Sequence, residues 1–146
     1  MTAPLAFRVG GTPRPQGSKR HVGHGVLIEM SKDLAPWRQE VAWYCRATLN
    51  GGGTYAAGPV EVSLSFYLAR PKGHYGTGRN AGQVKPGAPC WPAGRPDLDK
   101  LVRAVLDGLA IGGAFNDDSQ VAELIASKRW ADDACPPGVQ VWVREL

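Results

Sequence analysis

Long hydrophobic runs are missing from the sequence. No stretch of its 146 residues approaches the roughly 18 consecutive apolar residues that a membrane-spanning helix needs. The first ten residues, MTAPLAFRVG, have neither the basic start nor the apolar stretch of a signal peptide. We therefore expect a soluble, cytoplasmic protein with no membrane partner.

Cysteine is also scarce. Cys45, Cys90 and Cys135 cannot all pair with one another, and none belongs to a CxxC motif, so we expect reduced thiols and no disulfide framework. No Cys/His cluster is present to select zinc. The segment GTPRPQGSKR lacks the GxxxxGK[ST] spacing of a phosphate-binding loop, so no nucleotide cofactor is expected.

Acidic residues are absent from two parts of the chain. Residues 1–28 and 70–96 contain several lysines and arginines but no acid, whereas five aspartates lie between Asp97 and Asp118. Cationic segments beside carboxylates suit a protein that holds a polyanion, although any single cation is also explained as solvated surface charge. The candidate DNA-binding residues are Arg14, Lys19, Arg20, Lys72, Arg79, Lys85, Arg95 and Lys100.

Length and hydrophobic pattern predict a single domain over residues 1–146, with a basic arm (10–25) and a basic Gly/Pro-rich loop (70–94). Alternating apolar residues predict strands near residues 5–9, 60–68, 121–130 and 139–143. Helical spacing predicts helices from Asp33 to about residue 49 and from Leu98 to about residue 112. This order predicts an α+β fold, a two-layer α/β sandwich of a four-stranded mixed sheet and two main helices. A short hairpin is expected to run through residues 19–22 and 26–29, at the end of the arm.

Aspartates at the start of the second helix and before the third strand are the candidates for chemistry. Individually, Asp97 and Asp99 are explained by helix capping, and Asp117 and Asp118 by turn formation. Because the helix runs away and the following strand can return, we expect Asp118 to approach Asp97 and Asp99. Three unpaired carboxylates repel one another unless a cation compensates, and Mg²⁺ or Mn²⁺ prefers such oxygen ligands. Such an ion can polarise a phosphate and activate water.

Three motifs carry a resemblance to a known family. The segments RPDLDKL (residues 95–101), DGL (107–109) and NDDSQV (116–121) resemble those of the RusA family of Holliday junction resolvases. The resemblance implies a RusA-like fold and a metal-dependent endodeoxyribonuclease, a homodimer that makes paired nicks in a four-way junction. It implies that Asp97, Asp99 and Asp118 are catalytic metal ligands, with Asp117 as a neighbour in the same site.

Two positions depart from the family pattern. Lys100 stands where the family has Asn, and Arg103 stands where it has a catalytically important Lys. Because arginine does not exchange a proton near neutral pH, we expect Arg103 to act by stabilising phosphate charge, with Lys100 as a second cation. The alternative is an exposed ladder of ion pairs joining Asp99, Arg103 and Asp107.

Two other functions remain open from the sequence. The chain could be a non-catalytic DNA- or RNA-binding module whose aspartates only cap helices and turns. It could instead be a metal nuclease that cuts flaps or other branched DNA. Metal-dependent nicking distinguishes the first alternative, and a comparison of substrates distinguishes the second.

Overall fold

The four long strands form one mixed sheet, and both long helices pack on one of its faces. The computed structural model describes residues 3–17, 19–21, 27–29 and 32–146. This is the α+β two-layer sandwich that the sequence predicted. Its elements are β1 (Leu5–Gly10), β2 (Lys19–His21), β3 (Leu27–Glu29), α1 (Leu34–Leu49), β4 (Val60–Leu68), α2 (Leu98–Gly112), β5 (Val121–Trp130) and β6 (Gly138–Glu145).

The sheet has the strand order β1-β6-β4-β5, with β5 at one edge. Strands β4 and β5 run parallel, and the other neighbours are antiparallel. In β4 the alternation is confirmed, because Val60, Val62, Leu64, Phe66 and Leu68 are all buried. Together with buried residues of β1 and β6, these side chains form the part of the core that the sheet supplies, on the face that the helices cover.

Strand β5 continues that face to the sheet edge. Leu124, Ala126 and Lys128 pair with the buried β4 residues, so they point toward the helix layer. Leu124 is nevertheless exposed, as is Ile125 on the opposite face. Because this edge strand is only partly covered, with Val121, Ala126 and Trp130 half-buried and its middle exposed, its hydrophobic alternation is imperfect in the sequence.

The two helices pack closely against each other, which fixes the position of α2. A Cβ atom on Gly112 would lie 2.7 Å from the Ala42 carbonyl oxygen and from the Cys45 Cβ atom, so only glycine permits this approach. Helical spacing in the sequence predicts one inner face of α1, and this prediction needs a correction. The predicted residues are Leu34, Trp37, Val41, Tyr44, Cys45, Thr48 and Leu49. Tyr44 and Thr48 are exposed, and Ala42 is buried instead, because the core lies on the side of the helix that α2 covers.

Strands β2 and β3 pair antiparallel and confirm the predicted hairpin. Residues 18 and 22–25 of the arm, and residue 26 after it, lie outside the described residues. The start of the arm is attached to α2. The Gln16 backbone N–H donates to the Lys100 carbonyl oxygen (3.0 Å), and the Gln16 amide donates to Asp107 Oδ2 (2.7 Å).

The loop of residues 70–94 contains two single-turn 3₁₀ helices, Lys72–His74 and Gly78–Asn80. It is folded back on itself, since the Gly76 N–H donates to the Gln83 carbonyl oxygen (2.8 Å). Arg70 also donates to the Pro89 carbonyl oxygen (2.9 Å). The loop is thus irregular, as its composition predicted, but hydrogen bonds define its path.

The cysteines are free thiols, and burial raises the pKa of Cys45 to about 11. Within the described ranges, neither helix has the length and apolar character to cross a bilayer.

Candidate active site at the start of helix α2

Two aspartates flank the first turn of α2. Asp97 is the residue before the helix and has an extended backbone, and its carbonyl oxygen accepts the Leu101 N–H (3.1 Å). Its carboxylate does not cap the helix but lies 3.3 Å from Lys100 Nζ. Asp99 lies inside the first turn, where a negative charge interacts favourably with the positive end of the helix dipole.

Asp99 and Asp118 line the same groove, which we call the carboxylate groove. Asp99 comes from α2, whereas Asp118 comes from the turn that precedes β5. The groove has a volume of about 600 Å³ and is lined by Leu98, Asp99, Val102, Arg103, Leu106, Asp118, Leu124 and Ala126. Apolar side chains therefore surround two carboxylates and one guanidinium.

The turn before β5 is held by its own side chains. Asp117 Oδ2 accepts the Ser119 N–H (3.0 Å), and Gln120 Oε1 accepts the N–H groups of Asn116 (2.8 Å) and Asp117 (3.1 Å). Hydrogen bonds from Ser119 also hold the pKa of Asp117 below its ordinary value. Asp117 thus supports the turn, and the exposed Asp118 carboxylate faces the groove.

A second groove lies on the other side of the α2 start, and we call it the basic groove. Its volume is about 860 Å³, and its lining includes Arg14, Arg95, Asp97, Lys100 and Trp130. Three cations and one carboxylate give this groove a net positive charge, which suits a phosphate backbone. Three predicted DNA-binding residues from separate parts of the chain, Arg14, Arg95 and Lys100, therefore line this groove together.

The expected meeting of three carboxylates is only partly seen in the single chain. Asp99 and Asp118 share the carboxylate groove, but Asp97 lines the basic groove. Among the residues that the structure describes, no group of three or more His, Cys, Asp or Glu side chains is placed to hold a metal ion. The assignment of Asp97, Asp99, Asp117 and Asp118 to a metal site stays a prediction.

Arg103 lines the carboxylate groove together with Asp99 and Asp118. Asp107, one turn later, interacts with Gln16 (2.7 Å) and Arg38 (4.0 Å) instead of completing a ladder with Arg103. In the described part of the chain, no ion pair joins Arg103 to either aspartate of the proposed ladder, which leaves its guanidinium available to a ligand.

The remaining predicted DNA-binding residues are dispersed. Lys72, Arg79 and Lys85 are exposed on the loop of residues 70–94. For Lys19 and Arg20 the structure gives the β2 backbone, and their side chains lie outside what it describes.

Sequence reasoning assigned no role to Lys128, which supports the residues before α2. Its Nζ atom donates to the carbonyl oxygens of Gly94 (2.5 Å) and Pro96 (2.8 Å). The available signal was its position in β5, since residues 124, 126 and 128 share the face that points toward the helices. The sequence does not show that Lys128 contacts the Gly94 and Pro96 carbonyl groups, because these belong to a segment about 30 residues earlier in the chain.

Comparison with known families agrees with the motifs. A family model described as "Endodeoxyribonuclease RusA" matches residues 9–144. No match to the chain is found among curated proteins.

Proposed function

Because the chain belongs to the RusA family of Holliday junction resolving endodeoxyribonucleases, we propose that it nicks four-way DNA junctions in a reaction that depends on Mg²⁺ or Mn²⁺. Two symmetric nicks per junction would be made by a homodimer in the cytoplasm. The observation that carries the proposal is the shared groove in which Asp99, Asp118 and Arg103 converge from two distant parts of the chain.

The donor set fits a hard divalent ion. Asp99 and Asp118 offer carboxylate oxygens in one groove, and these are the ligands that Mg²⁺ prefers, completed in such sites by water and substrate phosphate. Asp97, at the adjoining position before α2, is the candidate for a further ligand. When bound, the ion would polarise a phosphate oxygen and lower the pKa of a water molecule.

The chain's own residues would divide the remaining work between the two grooves. Arg14, Arg95 and Lys100 would hold the DNA backbone in the basic groove by contacts that do not read sequence. Arg103 would face the phosphate in the carboxylate groove and stabilise the negative charge that grows during displacement. Because arginine stays protonated, it would not serve as the general acid.

Substrate choice and metal dependence test this function together. A four-way junction, a flap and a linear duplex of matched sequence, each labelled on every strand in turn, would be incubated with the protein in Mg²⁺, Mn²⁺ or EDTA. We expect paired nicks at symmetric positions in the junction and no cleavage in EDTA. Preferred cutting of the flap would select the broader branched-DNA nuclease, and binding without cleavage would select the non-catalytic module.

Replacing Arg103 with alanine is expected to lower the cleavage rate about tenfold while junction affinity changes less than threefold. Removing one preorganised hydrogen-bond donor typically lowers the rate by at least about a hundredfold. The loss expected here is smaller, because the groove is open to water. Single-turnover cleavage and anisotropy binding would be measured on the same junction, with Arg103→Lys as the conservative variant. Unchanged cleavage by Arg103→Ala would remove this residue from the site.

The edge of the sheet supports the proposed homodimer. Leu124 and Ile125 on β5 expose 46% and 59% of their surface, and a strand edge with exposed apolar side chains favours association. A two-fold substrate is also matched most simply by a two-fold protein.

Replacing Ile125 with glutamate is expected to weaken dimerisation at least tenfold, because a charge would be buried without a partner. The matched control is Ile111→Glu, since Ile111 is 50% exposed but belongs to α2 and not to the β5 edge. Sedimentation velocity over a concentration series would measure both. An equal effect of the two substitutions would argue against a β5 interface.

A further inference from the structure

Three consecutive residues at the end of β5 hold residues 89–96 against the sheet edge. Lys128 binds the carbonyl oxygens of Gly94 and Pro96, and the Trp130 indole N–H donates to the Pro89 carbonyl oxygen (3.0 Å). Because side chains alternate along a strand, Lys128 and Trp130 contact the segment from one face of β5, and Arg129 between them points to the opposite face. This segment is thereby anchored near both of its ends.

Trp91 lies between these anchors and remains open to solvent. Its side chain is 58% exposed, and the Arg129 guanidinium lies 5.2 Å from its ring centroid. This cation–π contact orients the indole without covering it. Because the backbone on both sides of Trp91 is already held, little further conformational entropy of the protein would be lost when a ligand stacks on the ring.

The surroundings of Trp91 select the chemistry of that ligand. Residues 70–96 carry five lysines and arginines and no acid, and the basic groove lies at the other end of the same anchored segment. A flat apolar ring beside cations suits a polyanion that carries planar apolar groups. Nucleic acid has this combination, and the face of a base becomes accessible where pairing and stacking are interrupted.

We propose that Trp91, oriented by Arg129, is a stacking platform for an unpaired DNA base and favours branched over continuous duplex DNA. The proposal rests on the proposed function only for the nature of the substrate, because stacking requires neither the metal nor the aspartates. It assigns the anchored segment a recognition role beside the cleavage site.

Binding in EDTA tests the platform separately from cleavage. Anisotropy would compare wild type, Trp91→Ala and Trp91→Phe on a four-way junction and a linear duplex. Trp43→Ala is the matched control, since Trp43 is 60% exposed but lies on α1. We expect about tenfold weaker junction binding for Trp91→Ala, within the range for one stacked base. Trp91→Phe should recover most of the affinity, and Trp43→Ala should bind as wild type does.

A 2-aminopurine base at the branch point gives the direct readout. Its fluorescence should be quenched when wild type binds, and Trp91→Ala should abolish this quenching at saturating protein. Retained quenching, unchanged affinity of Trp91→Ala, or equal losses on junction and duplex would each overturn the platform. If Trp91→Ala weakens junction binding but the wild-type protein never nicks the junction, only the proposed nuclease function is refuted. Nicking without any Trp91 effect would refute only the platform.

Discussion

Replacing Asp99 with asparagine is expected to reduce junction cleavage about a thousandfold, equivalent to about 4 kcal/mol of lost transition-state stabilisation. The substitution preserves side-chain shape but removes one of two carboxylates in the carboxylate groove. Asp118→Asn should have a similar effect, because its carboxylate lines the same groove. Single-turnover cleavage in Mg²⁺ would measure the loss, and binding in EDTA should be unchanged or tighter.

The control is Asp133→Asn, an identical change at an exposed position between β5 and β6. It should cleave as wild type does. Asp97→Asn then decides the role of the third aspartate, which pairs with Lys100 in the basic groove. A loss as large as that of Asp99→Asn would place Asp97 among the metal ligands. Wild-type cleavage by Asp99→Asn would contradict the carboxylate mechanism itself.

Strands and helices were predictable from the sequence where one buried face requires apolar residues at a regular spacing. In β4, five inward residues at every second position face the helices, and this pattern defined the strand in the sequence. The end of α2 was equally clear, since Gly113 adopts the left-handed conformation (φ 95°) that glycine favours. The α1 face was less accurate, because a helical period alone does not show on which side a neighbouring helix packs.

The site was predictable from the sequence only where neighbouring elements of the chain fix the positions of its residues. Asp99 and Asp118 were expected to approach each other because a helix and a returning strand connect them, and they share a groove. The direction of Asp97 was not accessible, because it depends on the path of the chain before α2. That path is supported by Lys128 on β5, a tertiary contact that no local pattern encodes.

Lys128→Met is expected to lower Mn²⁺ affinity and junction cleavage by between ten- and a hundredfold, as is common when a residue that orients metal ligands is lost. Methionine keeps an unbranched side chain but cannot donate to the carbonyl oxygens of Gly94 and Pro96. The residues leading into Asp97 and Asp99 would then lose the support that sets where α2 begins. Calorimetric titration with Mn²⁺ in the absence of DNA would measure affinity apart from turnover.

Two comparisons separate positioning by Lys128 from a general effect of charge or stability. Lys32→Met makes the same change at an exposed position just before α1 and should leave Mn²⁺ affinity as in wild type. Lys128→Arg keeps a donor and should recover part of the affinity. Because thermal unfolding would report any loss of stability, affinity is compared well below the melting temperature of each variant. Wild-type Mn²⁺ affinity in Lys128→Met would show that the carbonyl contacts do not govern the metal ligands.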